Sequence, residues 1–428
     1  MKIPRNANGR VIQDTCHGNT KLSPVEKRGF LLQQSILCTI NINMKNYDVI
    51  ILGAGAAGLF AASYAVKRGL NVAIIDMGNA PARKVAVSGG GRCNFTNLAA
   101  SPEHYFGQNR NFVRGALARF SPQDMLHWAE THKLHIIEKN SGQYFCADGA
   151  KNVVDALITD VSGSDIFTQT IVLDVEKNAN KFIVKTNRSE FTCNKLIVAT
   201  GGTSFETLGV SDIGHKIAKK FGHKIVPIRP ALCAIATKAF SDELMGISLP
   251  VAISVGREVI RDDMLFTHFG IGGPAAYRAT VRDIEKEIII NLCPNDDIYE
   301  YLRETKCING KKTTTTILSQ KLPTRVAKWI CAIITTNIAD LRDSDLKNIA
   351  NRINHIVIPL SDIKYHNLAS AEVVRGGVDT ADISSKTMES KLCPGLYFVG
   401  EVMDIAGDLG GFNLQWAWSS GFTAGNAI

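Results

Sequence analysis

Apolar residues in this chain gather in short unbroken runs. Val49-Ile50-Ile51-Leu52, Val72-Ala73-Ile74-Ile75, Leu196-Ile197-Val198 and Leu396-Tyr397-Phe398-Val399 are four such runs. Runs of this length, rich in β-branched and large apolar residues, predict strands buried on both faces of a parallel sheet. Glycine or acid punctuates each one: Gly53-Ala54-Gly55-Ala56-Ala57-Gly58, then Asp76, then Thr200-Gly201-Gly202, then Gly400-Glu401. Between the first two, Leu59 to Arg68 reads as a helix that Gly69 stops. Helical spacing recurs over Asn111–Phe120, over Ser121–His132 with its Ser-Pro start, and over Asp212–His223. Residues 98–160 as a whole read as largely helical. Alternation over Thr170–Glu176 and Lys181–Thr186 predicts a hairpin.

The pattern changes at residue 225. Ile225–Ile235 and Val251–Ile260 are strand-like, whereas Thr313–Asp340 and Asp343–Ile353 are helical. The chain then ends as it began, with a buried strand, a glycine turn over Asp404–Trp418, and a helix over Trp416–Ala427. These elements predict an α/β protein. A discontinuous Rossmann-type domain (44–224 and 361–428) would carry an inserted second domain (225–360), strands first and then helices. Residues 1–43 lack a clear period and read as a disordered or weakly ordered extension.

Strand, Gly-x-Gly-x-x-Gly, helix, strand and acid form the dinucleotide fingerprint in its required context. Gly53 permits the tight turn, Gly55 admits a pyrophosphate, and Gly58 lets helix and strand pack closely. Ala56 and Ala57 open the helix whose N–H groups would meet phosphate. Asp76, 18 residues past Gly58, is placed to accept ribose hydroxyls. The stretch Arg83-Lys84-Val85-Ala86-Val87-Ser88-Gly89-Gly90-Gly91-Arg92-Cys93-Asn94 reads as a glycine-dense basic loop suited to a flat ligand, with Lys84 and Arg92 available for phosphate or an anionic ring. The Gly410-Gly411 pair removes side chains where a ring would approach. The helix opening near Asn413-Leu414-Gln415 offers N–H dipoles to a bound ligand, its alternative being a plain helix cap.

Composition narrows the class. Ten cysteines without a CxxC among 428 residues read as reduced thiols of a cytoplasmic protein, with no dithiol pair and no zinc site. No apolar run is long enough to span a membrane. The net charge of +8 is concentrated in residues 1–43 (+4) and 216–360 (+6). It suits either solvated surface or the steering of an anionic partner. His127, His132 and His135 do not share one helical face and read as surface histidines. Cys93 is a lone thiol, better suited to packing than to redox chemistry.

Four segments carry a resemblance: Gly53 to Gly58; Ser88-Gly89-Gly90-Gly91-Arg92-Cys93-Asn94; Phe266-Thr267-His268-Phe269-Gly270-Ile271-Gly272-Gly273-Pro274; and Gly400-Glu401 through Gly411-Phe412-Asn413-Leu414-Gln415-Trp416-Ala417. With Thr200-Gly201-Gly202 they make residues 44–428 resemble the two-dinucleotide-binding-domain flavoproteins. Within these the chain is similar to the NAD(P)/FAD-dependent oxidoreductases that include BaiN and aminoacetone oxidase-like proteins. The resemblance implies FAD as cofactor. It implies Asp76 at the adenosine ribose, the Val175 backbone at the adenine, and Gly201, Glu401, Asp404, Gly411, Asn413 and Leu414 on the flavin side. The chain departs from the family pattern at Phe205-Glu206 and at Asp408-Leu409.

The expected activity is FAD-dependent oxidoreduction, with NADH or NADPH as donor and an organic acceptor (an activated C=C or C=O) or oxygen. This reading takes a small-molecule substrate and no nucleic acid. A second reading, from the basic insert, is an RNA-acting flavoprotein related to tRNA-modifying flavoenzymes; a third is a non-catalytic FAD-binding regulator. His268, in a constrained turn, is the candidate general acid, its alternative being a plain turn residue.

Overall fold

A computed structural model describes residues 45–139, 142–204, 210–334 and 336–428. The extension 1–43 and the Phe205-Glu206 departure lie outside the described residues. Residues 45–428 form one compact unit.

Strand β1 (Lys45–Leu52) leads through Gly53 and Gly55 into helix α1 (Ala56–Lys67), which returns to β2 (Val72–Ile75). Strand β3 (Glu190–Val198) lies parallel to β1 on the side opposite β2, and β4 (Leu396–Phe398) lies parallel to the end of β3. Asp165–Phe167 extends the sheet beyond β2. The first half of β3 pairs instead with the hairpin Val172–Asn178 and Lys181–Thr186, close to the hairpin read from the sequence. The inner strands are buried over Val49–Leu52, Val72–Ile75, Leu196–Val198 and Leu396–Phe398. On one face α1 packs against α2 (Phe412–Ala427). A Cβ on Gly421 or Gly425 would stand 2.5 Å from the Ala57 or Ala61 carbonyl oxygen, so these two glycines set the close approach.

Ser121 caps the helix Pro122–Thr131 through a box with Asp124. Residues 98–160 are less helical than expected. Ile136–Glu138 and Gln143–Cys146 form antiparallel strands with Asn94–Asn97, because alternation over these short segments is too brief to register.

The second part of the chain builds a seven-stranded antiparallel sheet, ordered Ile356–Pro359, Glu287–Asn291, Ser248–Val255, Glu258–Thr267, Gly270–Gly272, Ile235–Ala236, Lys364–Tyr365. It has its own apolar core. The last strand lies past residue 360. Thr313–Asp340 is not one helix. Thr314–Leu318 and Thr324–Ile330 are separate, divided where Pro323 starts the second, since proline cannot donate within a helix. Ile225–Ala231 pairs with Val373–Val378 and ties the two sheets together. Asp408, 3% exposed, receives Arg278 at 3.3 Å and Arg282 at 3.2 Å across the same junction.

Candidate functional site

The parallel strands end on one cavity of about 490 Å³, lined by Leu52, Ile75, Ala199 and Val399 at the strand ends. This is the crevice where open α/β sheets take ligands. Both α1 and α2 start at its wall, with Ala56, Ala57, Asn413 and Leu414 among the lining residues. Neither helix has a side-chain cap, so the first-turn N–H groups of each face the cavity end without a side-chain acceptor. Helix α2 begins at Phe412, four residues before its sequence reading. Gly411, at φ 97°, turns the chain into it without the polar cap that would have marked its start.

The fingerprint glycines divide by role. A Cβ on Gly53 or Gly58 would overlap backbone: the Ala199 carbonyl for the first, the Gly53 carbonyl for the second. A Cβ on Gly55, Gly90 or Gly201 would meet no protein atom within 4 Å. Protein packing therefore explains the first pair, whereas the second group opens on empty space. Gly410 and Gly411 belong with the packing group: a Cβ would stand 2.5 Å from Gln143 Nε2 or from the Thr96 oxygen. Both also line the cavity, Gly410 against the flexible end of Gln143 and Gly411 against the backbone of Thr96. Gly202 is confined by Glu401 Oε1 and a Val374 methyl, each 2.6 Å from where its Cβ would be.

Asp76 accepts the Ala54 N–H at 2.7 Å and the Gly78 N–H at 2.6 Å, with Arg83 at 3.6 Å. Glu401 receives Lys84 Nζ at 2.8 Å and the Val374 N–H at 3.1 Å; Lys84 also reaches Ser204 Oγ at 3.0 Å. Lys84, read as available to an anion, is thus paired with a carboxylate. Arg83–Val87 is helical; from Ser88 the chain extends, and Gly89 and Gly90 turn left-handed, so only the second half is the loop expected. Asn94 lines the cavity with its Oδ1 buried and unbonded among the described residues. Asn413 lines it too, its side chain bonded both ways to the Gly407 backbone.

Of the residues read from the sequence, the cavity gathers Gly53, Gly55, Ala56, Ala57, Asp76, Lys84, Ser88, Gly90, Asn94, Thr200, Gly201, Gly202, Gly400, Glu401, Gly411, Asn413 and Leu414. Others lie elsewhere. Gly58 is inside α1, and Gly91 and Arg92 are exposed beyond the loop. Val175 is buried in its hairpin, three residues past the lining residue Val172. Phe412 turns away to stack on His104 at 4.5 Å. Asp404 is buried and holds the Gln108 and Gly376 N–H groups at 2.8 and 3.1 Å, its carboxyl raised above the usual range by burial. His268 is not brought to the cavity. The Thr267–Gly270 pairing leaves His268-Phe269 as a two-residue tip, and the imidazole is exposed there, edge-on to Phe269 at 4.6 Å. Cys93 is buried, which pushes its thiol up to about 12 and suits packing.

The sequence reading missed Glu372, Val373, Leu232, Met77 and Thr170–Val172. Glu372 stands one residue before the strand Val373–Val378. Its backbone is held on both sides, N–H to the Leu232 oxygen at 3.2 Å and carbonyl to Ser204 Oγ at 3.2 Å. The residue lines the cavity and is exposed there, but protein atoms crowd its carboxyl closely enough that desolvation raises its pKa against the pull of Lys84. A carboxylate before a strand carries no sequence signal of its own. Among the described residues no cluster could hold a metal ion, and no helix is long and apolar enough to cross a membrane.

The HI0933-like protein Rossmann domain family matches residues 47–427. A Haemophilus influenzae protein named ribosomal RNA dihydrouridine synthase is 39% identical over 394 residues, covering 89% of this chain and 98% of its own length. An Escherichia coli protein of the same name is 38% identical over 391 residues, covering 88% and 96%. The 3-dehydro-bile acid delta(4,6)-reductase of Clostridium scindens is 26% identical over 404 residues, covering 88% and 98%. The resemblance read from the motifs is borne out: the chain belongs to the HI0933-like family of FAD-binding, Rossmann-type flavoprotein oxidoreductases, with BaiN-like proteins among its relatives.

Proposed function

We propose that this protein uses FAD, reduced by NADH or NADPH, to saturate the C5=C6 bond of a uridine in ribosomal RNA. The observation that carries the reading is the likeness, over 96–98% of their lengths, to two relatives named for that reaction. The more distant relative is also named as a reductase, at delta(4,6) positions. An activated C=C is one of the acceptors the sequence reading allowed, beside C=O and oxygen, and an RNA substrate accords with its second reading, an RNA-acting flavoprotein.

The cavity residues fit FAD. The open space at Gly55, Gly90 and Gly201, two uncapped helix starts and the unbonded Asn94 Oδ1 offer donors, an acceptor and room. Asp76 would take the ribose and the α1 start the pyrophosphate, and the α2 start would face the electron-rich part of the ring system. Bound FAD supplies hydride transfer. Lys84 and Glu401 hold one wall rigid, so the acceptor meets a preformed surface. The excess of six positive charges over residues 216–360 suits a polyanion.

The test is to incubate the purified protein with NADPH or NADH and ribosomal RNA from a strain deleted for its gene. Dihydrouridine, measured by mass spectrometry of nucleosides, is expected at a discrete site, with binding that weakens steeply as salt rises. Reduced-nicotinamide oxidation with no dihydrouridine formed would overturn the reading.

A further inference from the structure

Reducing uridine takes more than a hydride. The C4 carbonyl is conjugated with C5=C6, so hydride adds at C6 and a proton must reach C5. A protein donor for it is a titratable group facing the cavity. Among the described residues no His, Cys or Tyr lines it; the titratable ones that do are Asp76, Arg83, Lys84, Glu372 and Glu401. Asp76 is bonded to two backbone N–H groups beside Arg83, and Glu401 is bonded to Lys84, to the Val374 N–H and to Ser204. An ammonium or guanidinium is a poor acid near neutral pH. Of the described lining residues Glu372 remains, an exposed glutamate whose side chain has no hydrogen bond among the described residues.

The geometry points to Glu372 as the catalytic acid that delivers this proton, an assignment that rests on the proposed uridine reduction. Its position is fixed by the backbone bonds to Leu232 and Ser204 and by the buried strand that follows. The C5=C6 π bond breaks. The hydride brings both electrons and the new C6–H bond, the proton leaving the Glu372 carboxyl makes the C5–H bond, and the carboxylate regains a proton from water. Poor solvation favours the protonated acid the step needs. The groups that face it are Lys84, whose charge opposes protonation, and Tyr277, whose hydroxyl is itself raised by burial first and by the Glu372 charge second.

The test compares wild type, Glu372→Gln and Glu372→Asp. Each is assayed for FAD content, for anaerobic reduction by NADPH, and for single-turnover dihydrouridine formation. The apoproteins are titrated by infrared spectroscopy for a protonated carboxyl band. Glu372→Gln is expected to keep FAD and its reduction, to lose one carboxyl titration that lies above the ordinary glutamate range in wild type, and to form dihydrouridine about 10²-fold more slowly or worse. Glu372→Asp should recover part of that rate, with its alkaline limb displaced. An unchanged rate in Glu372→Gln while wild type makes dihydrouridine overturns this assignment alone. So does a wild-type apoprotein without that raised carboxyl titration, or a Glu372→Gln protein that no longer holds FAD. A wild type that makes no dihydrouridine overturns both this assignment and the function it rests on.

Discussion

Gly55 and Gly58 stand three residues apart in one motif, and the structure predicts opposite consequences for the same added methyl group. Gly55 sits at φ −81°, ψ −174°, a conformation alanine adopts freely, and its Cβ would meet no protein atom within 4 Å. In the apoprotein Gly55→Ala is therefore neutral or stabilising by about 0.4–1 kcal/mol, because alanine restricts the unfolded chain. The methyl group enters the space in front of the Ala56 and Ala57 N–H groups. Displacing a phosphate from hydrogen bonds to such donors costs about 1.5–3 kcal/mol, and FAD should bind roughly 10- to 100-fold more weakly. Gly58→Ala places its Cβ on the Gly53 carbonyl oxygen, well inside the 3.0 Å that real Cβ atoms respect. Backbone has to move, at about 1–3 kcal/mol or more, against about 1 kcal/mol gained in helix propensity. The assay is a pair of measurements on each apoprotein: the melting temperature, and the FAD dissociation constant by fluorescence titration. Gly55→Ala should lose affinity and keep its melting temperature, whereas Gly58→Ala should lose melting temperature. A Gly55→Ala protein that binds FAD as wild type does would refute the reasoning, because the space before α1 would then not be the phosphate site.

Two further predictions concern charge. Lys84→Met strands the Glu401 carboxylate at the cavity wall and should cost about 1–3 kcal/mol in chemical denaturation, between the values of exposed and buried pairs; adding Glu401→Gln should recover part of the loss, and a strictly additive double variant would show that the 2.8 Å pair contributes nothing. The Glu372 carboxyl is raised in the folded protein, so its contribution is fully present below the ordinary glutamate pKa and is lost as pH rises through the folded value. The melting temperature of wild type relative to Glu372→Gln should therefore fall as pH rises across that window, and a difference that stays flat with pH would contradict the shift.

What could be read from the sequence was what is local. The turn from β1 to α1 announces itself because buried run, glycines, helix and acid fall within 30 residues and each has its own signal. The start of α2 was misplaced because Gly411 caps it by conformation alone. Lys84 looked available because its partner is 317 residues away, and nothing in the composition near Glu401 reports the pairing. His268 looked catalytic for its glycine-rich neighbourhood, but strand register decides where that turn points, and register is a property of Thr267 and Gly270 pairing.

Glu372 reaches the cavity by a route that also explains why the second sheet matters to the first. The strand it precedes does not join the parallel sheet. It pairs antiparallel with Ile225–Ala231, the segment by which the chain leaves the first sheet for the second. The strand then bends: Gly376 and Gly377 have φ of 87° and 125°, and a Cβ on Gly377 would stand 2.7 Å from the Val402 oxygen. That contact sets the strand against the turn after β4, one residue past Glu401. Acid and ion pair are thus linked through backbone: Glu401 bonds the Val374 N–H, and Ser204 bonds both the Glu401 carboxylate and the Glu372 carbonyl. Glu372 is thus held through Leu232 and the pairing with Ile225–Ala231, whereas Gly55 and Asp76 follow the ends of the parallel strands β1 and β2. The proposed nucleotide site and the proposed proton donor therefore sit on different supports, and changes at the sheet junction, such as loss of the Asp408 pairs with Arg278 and Arg282, should reach the second before the first.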